Sequence, residues 1–391
     1  MKKKILFFLI NMNLGGTEKS FLNLISALPP DVEVDLLLLE NEGQLLTQLP
    51  KRVNLRIIEE SESVNLLIQN SLLAYALFCF KKFDFIKTFR SIYFYIKSKF
   101  SSSSDYKFET IQKKLALNPK RYDVAIAYAG PHQFISTYIA KNTHAKKKIQ
   151  WIHFDISKIS FNINAARNVF EYFDEIKVVS KEARQQFVHF FPKFNDKTEV
   201  YHNIINRREV LSLSKHTGCV FEDHFSGIRI ITVGRLTKEK GYVLAIEAIS
   251  KLVQKGLSIK YYIIGTGNQE TKLKKLVNSL NMNEHVVFLG LKLNPFPYML
   301  QADIYLQPSF YEGHCVTILE SKLLNKPIVS TNFTGAAEEL KQGETGIIVN
   351  IDVPSISLGL QKLIENPALR EKFEQNLINE NLAYTHQFVE F

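Results

Sequence analysis

Two glutamates, Glu312 and Glu320, stand eight positions apart in the run Pro308-Ser309-Phe310-Tyr311-Glu312-Gly313-His314-Cys315-Val316-Thr317-Ile318-Leu319-Glu320. Gly313 follows the first, and Val316, Ile318 and Leu319 lie between the two. The alternation in Asp303-Ile304-Tyr305-Leu306-Gln307 predicts a short strand before this run. Glu320-Ser321-Lys322-Leu323-Leu324 predicts a helix after it, ended by Asn325-Lys326-Pro327. Glu312 then falls at the carboxyl end of a strand, and Glu320 about two turns later on the same helix face. Open α/β sheets bind ligands outside the carboxyl ends of their strands. Two carboxylates there can accept hydrogen bonds from a polyhydroxylated ligand, which is the outline of a sugar or nucleotide site.

A second constellation is Gly234-Arg235-Leu236-Thr237-Lys238-Glu239-Lys240-Gly241, which follows an apolar strand and opens a helix. Arg235 offers a planar fork and Lys240 a compact charge. With the donors of a helix amino terminus, the pair suits a diphosphate. An ordinary basic turn has the same composition. Near the amino terminus, Lys4–Ile10 reads as a strand running through Asn11-Met12-Asn13-Leu14-Gly15-Gly16 into a helix from Thr17. That arrangement sets backbone N–H groups around an anion, although Gly15-Gly16 also fits a simple turn. His153 ends the strand-like Lys148-Ile149-Gln150-Trp151-Ile152-His153, either as an active-site group or as a satisfied strand-end histidine. His132 is a weaker candidate, better read as a helix-start residue.

The elements that must hold these residues alternate between strand and helix, which predicts parallel doubly wound sheets. Val32–Glu40, 53–58, 124–128 and 176–179 continue the first set, with a helix N-capped by Ser180. The pattern then repeats at 229–233, 261–264 (ending in Gly265-Thr266-Gly267), 286–289, 303–306, 328–330 and 346–349. A polar stretch from Asn203 to Gly227 marks the join. The expectation is an amino-terminal unit over 1–205 and a carboxy-terminal unit over 206–391, two Rossmann-like domains facing across a cleft.

The chain has 391 residues, enough for two cores. Its 46% hydrophobic and 23% charged residues are those of a globular protein. The net charge of +10 favours anionic partners. Much of that excess sits in 61–120, an aromatic segment with 10 Lys/Arg against 4 Asp/Glu. It invites two compatible readings: an apolar face covering the amino-terminal sheet, and basic-aromatic helices docked on an anionic bilayer. No nucleic-acid recognition fold is evident, and no apolar run reaches membrane-spanning length. The Lys-rich start with its short apolar run reads as a buried strand rather than a signal peptide. Cys79, Cys219 and Cys315 show neither metal-ligand spacing nor a disulfide framework, which points to a reducing cytoplasm.

Taken together, Gly234-Arg235 with Lys240-Gly241, Gly265-Thr266-Gly267, Pro308-Ser309 with Glu312 and Glu320, and Lys326-Pro327-Ile328-Val329-Ser330 resemble the retaining glycosyltransferases of family 4, which have the GT-B fold. Gly15-Gly16-Thr17-Glu18 and Trp151-Ile152-His153-Phe154-Asp155 resemble that family more loosely. The resemblance implies that Arg235 and Lys240 hold the diphosphate of a nucleotide-sugar and that Glu320 bonds the ribose hydroxyls. It puts Glu312 beside the donor sugar, His153 near the sugar hydroxyls, and Gly15 and Gly16 against the phosphate. Gly234, Gly265, Gly267, Gly313, His314, Cys315 and Val316 complete the implied donor site. Where family members often carry Phe-Gly, this chain has His314-Cys315, whose backbone N–H groups would face the donor sugar. The family needs neither metal nor cofactor. The reading is a metal-independent retaining hexosyltransferase that uses a nucleotide-sugar, a UDP-sugar by preference. Its acceptor would be a glycan or lipid-linked oligosaccharide of surface polysaccharide, capsule or lipopolysaccharide assembly, at the inner face of the cell membrane. The alternatives are a non-hydrolysing sugar-nucleotide epimerase and a catalytically silent GT-B partner subunit.

Overall fold

The computed structural model describes residues 2–58, 72–100, 118–130, 133–158, 163–215, 220–382 and 391. The amino-terminal unit runs β1 (Lys4–Leu9), α1 (Gly16–Ala27), β2 (Glu33–Leu38), β3 (Val53–Ile57), α2 (Leu72–Lys81), α3 (Phe85–Phe100), β4 (Arg121–Gly130), α4 (Gln133–Asn142), β5 (His144–Ile152), α5 (Ile163–Phe170), β6 (Glu175–Val178), α6 (Lys181–Phe190) and β7 (Thr198–Val200). After α7 (Arg207–Ser214) the second unit runs β8 (Ile228–Val233), α8 (Tyr242–Gln254), β9 (Ile259–Ile264), α9 (Glu270–Ser279), β10 (Val286–Gly290), α10 (Phe296–Gln301), β11 (Ile304–Gln307), α11 (Val316–Leu323), β12 (Ile328–Thr331), α12 (Ala336–Glu339) and β13 (Gly346–Val349). Two helices close the described chain, α13 (Val353–Glu365) and α14 (Pro367–Leu382).

The first sheet has seven strands in the order β3-β2-β1-β4-β5-β6-β7, and the second has six in the order β10-β9-β8-β11-β12-β13. The pairings are parallel, as in Lys4 to Glu33, Ile5 to Val124 and Ile304 to Ile230. The order reverses between β1 and β4 in one sheet and between β8 and β11 in the other. Such switch points leave a crevice at the strand carboxyl ends.

Burial explains the continuous apolar runs, because a parallel sheet is covered on both faces. In β1, Leu6 and Phe8 join one core with Ala125, Ala127 and Phe134. Ile5, Phe7 and Leu9 join the opposite core with Phe21, Val124 and Ile126. In the second sheet Ile230 and Ile263 face one core while Ile231, Val233 and Tyr262 face the other. Strand β7 escapes sequence inspection, since three residues are too few to show a period.

The described part of the 61–120 segment is a pair of helices, α2 and α3. Leu72, Tyr75 and Cys79 join the core on the amino-terminal sheet, and Phe78, Phe94 and Tyr95 pack against it. Leu77, Phe80, Phe83, Phe85, Ile86, Phe89, Tyr93 and Ile96 are exposed on the pair's other side. Residues 61–71 and 101–117 of that segment, along with His132 and Cys219, lie outside the described residues.

Candidate functional site

A cavity of about 580 Å³ lies between the two sheets and is lined from both units. From the amino-terminal side come Asn13, Gly15, Gly16, Thr17 and Lys19 at the start of α1, with His153 and Asn203. From the carboxy-terminal side come Gly234, Arg235, Lys240, Gly265, Thr266, Lys292 and the turn from Tyr311 to Thr317. The loops after β1, β5, β8, β9 and β11 thus converge as the switch points require.

Lys240 sits at the end of a tight turn, and its Nζ donates to Glu312 Oε1 at 2.6 Å. The same oxygen accepts from Ser309 Oγ at 2.7 Å and Gln307 Nε2 at 3.1 Å. Tyr305 OH, inside the sheet, holds Gln307 by its Oε1 at 2.9 Å. Strand β11 therefore aims Glu312 by a chain of hydrogen bonds rooted in the core. Burial works against the Lys240 charge, but the Glu312 carboxylate outweighs it and leaves the ammonium more basic than usual. Arg235 is exposed at the cavity wall. Its charge draws the Glu18 carboxyl down, against burial that pushes it above the usual range.

The two glutamates do not share a helix face. Glu312 lies in the turn before α11 begins at Val316, while Glu320 lies inside that helix. Within that turn Gly313 packs against the other unit. A Cβ there would stand 1.9 Å from the His153 carbonyl oxygen, so the turn presses on the other unit as only glycine can. Glu320 is 3% exposed and does not line the cavity. Its Oε1 accepts from Lys19 Nζ at 2.7 Å, and its Oε2 has no partner among the described residues.

His153 is 7% exposed and lies 4.4 Å from the Tyr128 ring and 6.0 Å from Trp151, parallel to the latter. Among the described residues, neither ring nitrogen finds a partner at hydrogen-bond geometry. Burial pushes its pKa down to about 3, with the backbone of Tyr128 pulling the other way, so the imidazole is neutral near pH 7. His314 is likewise held down to about 3, by burial first and then by His202 and Lys322. Its carbonyl accepts from Asn203 Nδ2 at 3.0 Å, a bond across the cleft.

Two further groups of the expected donor site are placed differently. Gly267 does not line the cavity; its Cβ position meets the Leu236 backbone at 2.5 Å, so it serves close packing beneath the Arg235 loop. Gly265 does line it, at φ +142°, with its Cβ position 1.9 Å from the Gly234 carbonyl oxygen. The Cys315 N–H does not face the cavity as a free donor, because Glu339 Oε1 accepts it at 2.6 Å. Buried at 3% exposure, Glu339 has a carboxyl pushed well above its usual range by that burial. Sequence inspection missed it, since α12 is four residues long and carries no motif.

The walls of the cavity are joined by a clamp beside α12. Glu338 accepts from the backbone N–H groups of Lys181 and Glu182 at 2.9 and 3.0 Å, capping α6 from the other unit. Glu182 in turn accepts from Gly335 N–H at 2.8 Å, and Thr334 Oγ1 donates to Asp155 Oδ2 at 2.7 Å.

Comparison with known proteins bears on the family and the fold. Residues 226–380 match the family model described as glycosyl transferases group 1. An uncharacterised glycosyltransferase of Methanocaldococcus jannaschii is 30% identical over 55% of this chain and 53% of its own. The N-acetylgalactosamine-N,N'-diacetylbacillosaminyl-diphospho-undecaprenol 4-alpha-N-acetylgalactosaminyltransferase of Campylobacter jejuni is 29% identical over 50% of this chain and 52% of its own. The chain thus spans about half the length of these curated relatives. The structure of Anabaena HepE with UDP-glucose superposes with a TM-score of 0.69 at 16% identity, over 97% of this chain and 94% of that one. The two sheets have the GT-B arrangement, and residues 226–380 within it are similar to the glycosyl transferases group 1 family.

Proposed function

We propose that the protein is a metal-independent, retaining glycosyltransferase of the family 4 type. It would move a hexosyl group from a nucleotide-sugar, a UDP-sugar by preference, to a glycan or lipid-linked oligosaccharide in surface polysaccharide assembly. The observation that carries this reading is the convergence of Arg235, Lys240, Glu312 and neutral His153 on one interdomain cavity. The UDP-glucose complex of the structural neighbour and the lipid-diphosphate named for the Campylobacter relative support the choice of donor and acceptor classes.

In this reading Arg235 and Lys240 take the diphosphate, and the amino terminus of α1 at Gly15 and Gly16 adds backbone donors. Lys240 is already shared with Glu312, so the diphosphate draws it from one anion toward another. Glu312 stays oriented by Gln307 and Ser309 and accepts from the sugar hydroxyls. His153, kept neutral by burial, hydrogen-bonds to hydroxyls without adding charge. The bond between the anomeric carbon and the phosphate oxygen breaks as the acceptor oxygen bonds to that carbon on the same face. The acceptor's proton passes to the departing phosphate, and a nucleoside diphosphate leaves. The cations stabilise the charge that develops on that phosphate. Cleft closure excludes the water that would otherwise hydrolyse the donor. Peripheral contact with an anionic membrane, through the exposed apolar side of α2 and α3, would bring the enzyme to a lipid-linked acceptor. Among the described residues no helix is long and apolar enough to cross a membrane.

Calorimetric titration with UDP, GDP and ADP, with and without a chelator, tests the donor site. One nucleotide should bind, indifferent to the chelator. Binding of none would overturn the donor-site reading, and loss of binding with the chelator would overturn metal independence.

A further inference from the structure

Glu320 is an unusual carboxylate for a cleft wall. It is 3% exposed, one oxygen is tied to Lys19, and the other lacks a partner among the described residues. A buried acceptor left unpaired is costly, which marks it as a group that awaits a donor. Lys19 comes from the first turns of α1 in one unit, and Glu320 from α11 in the other, so the 2.7 Å contact spans the cleft. Lys19 lines the cavity while Glu320 does not, so the lysine screens the carboxylate. Its ammonium also lies 5.5 Å from the centre of the Phe296 ring, which steadies it in that place. One residue earlier, Glu18 lies within the field of Arg235. The opening turns of α1 thus present a side chain of opposite sign to each of two charged groups of the carboxy-terminal unit.

We propose that Lys19 gates the nucleotide subsite: it occupies Glu320 until the two vicinal hydroxyls of a ribose displace it. This rests on the reading of Glu320 as the ribose ligand. Two adjacent hydroxyls offer a donor to each carboxylate oxygen, which a single ammonium does not achieve here. Binding then breaks an ion pair between the domains and turns the freed ammonium toward the cavity. The affinity for nucleotide is lowered by the strength of that pair, and α1 is released from α11 only when the donor arrives.

Calorimetry with UDP on Lys19→Met, Lys19→Arg and Glu320→Gln tests the gate. Lys19→Met should bind UDP roughly tenfold tighter than the unaltered protein, since the competitor is gone. Lys19→Arg, which keeps the ion pair, should bind as the unaltered protein does. The 2′,3′-dideoxy form of UDP has no hydroxyls for Glu320, and its affinity should not change in Lys19→Met; a general loosening of the fold would shift both ligands. Glu320→Gln should weaken UDP binding, and adding Lys19→Met to it should bring no further change. Should the methionine variant fail to fold, Lys19→Gln has the same expectation with a smaller gain. Unchanged or weaker UDP binding in a folded Lys19→Met or Lys19→Gln variant would overturn the gate while leaving the donor site standing. If UDP, GDP and ADP all fail to bind the unaltered protein, the donor site itself is refuted and the gate with it.

Discussion

In the proposed mechanism the Lys240–Glu312 contact bears more on chemistry than on stability. The Glu312 oxygen that meets Lys240 also takes donors from Ser309 and Gln307. Deleting the ammonium therefore leaves the carboxylate with two hydrogen bonds, and Lys240→Ala should fold with little change in Tm. Transfer should fall about 10²- to 10³-fold, the cost of removing one group that stabilises developing charge. Turnover assays beside a thermal melt check this, and full activity would refute the diphosphate role. That Lys240 would face the cleft was legible from its place in Gly234–Gly241. That its partner would be Glu312 was not, because the two are 72 positions apart and meet through the approach of two separate loops. Lys19 and Glu339 left no trace in the sequence at all: each is an ordinary helix residue whose partner is chosen by packing.

At the scale of elements, α2 and α3 are apolar on more than one side. Their buried side covers the sheet through Leu72, Tyr75 and Cys79, while Ile86 is 82% and Phe89 72% exposed. An isolated exposed apolar residue is ordinary, but a contiguous set marks an interaction surface. Lys81, Lys82, Lys87 and Arg90, on these two helices and the turn between them, supply positive charge, although Lys87 is paired with Asp84. The double variant Ile86→Gln, Phe89→Gln should lose about tenfold in binding to vesicles containing anionic lipid, while transfer to a water-soluble acceptor is unchanged. Sedimentation with vesicles of mixed neutral and anionic lipid measures it, and unchanged partition would refute membrane docking through this surface. The sequence signalled both helices by their apolar density. Which side met the sheet could not be read from it, because both sides carry large apolar residues.

Over the whole molecule, the cavity is held between two units by the Glu338–α6 cap, Thr334–Asp155, Asn203–His314 and Lys19–Glu320. Buried histidines in this interface link its stability to pH. Folded His153 takes a proton only near pH 3, whereas an unfolded histidine takes one near 6.5. Between those values the unfolded state binds more protons, so stability declines as pH falls, by up to about 1.4 kcal/mol per pH unit. His314 adds a contribution of the same sign. Glu339, with its carboxyl raised by burial, has the opposite sign and favours the folded state at lower pH. Thermal melts between pH 7 and 4 should show a shallower decline for His153→Asn than for the unaltered protein. Parallel curves would mean that His153 is not buried neutral in solution.

The order of strands and helices, the two-sheet division and the placement of Gly15, Gly16, Arg235, Lys240, Glu312 and His153 at strand ends follow from local pattern. Strand period, glycine turns and helix starts act over a few residues, and a parallel sheet turns each strand's carboxyl end into a site. Only the tertiary structure decided that Glu312 leaves the helix while Glu320 stays in it, that Gly267 supports the loop instead of lining the cavity, and that the Cys315 N–H belongs to Glu339. Each of these depends on contacts between residues far apart in the chain, where carbonyl positions, buried charge and the meeting of two domains determine which neighbour a side chain finds.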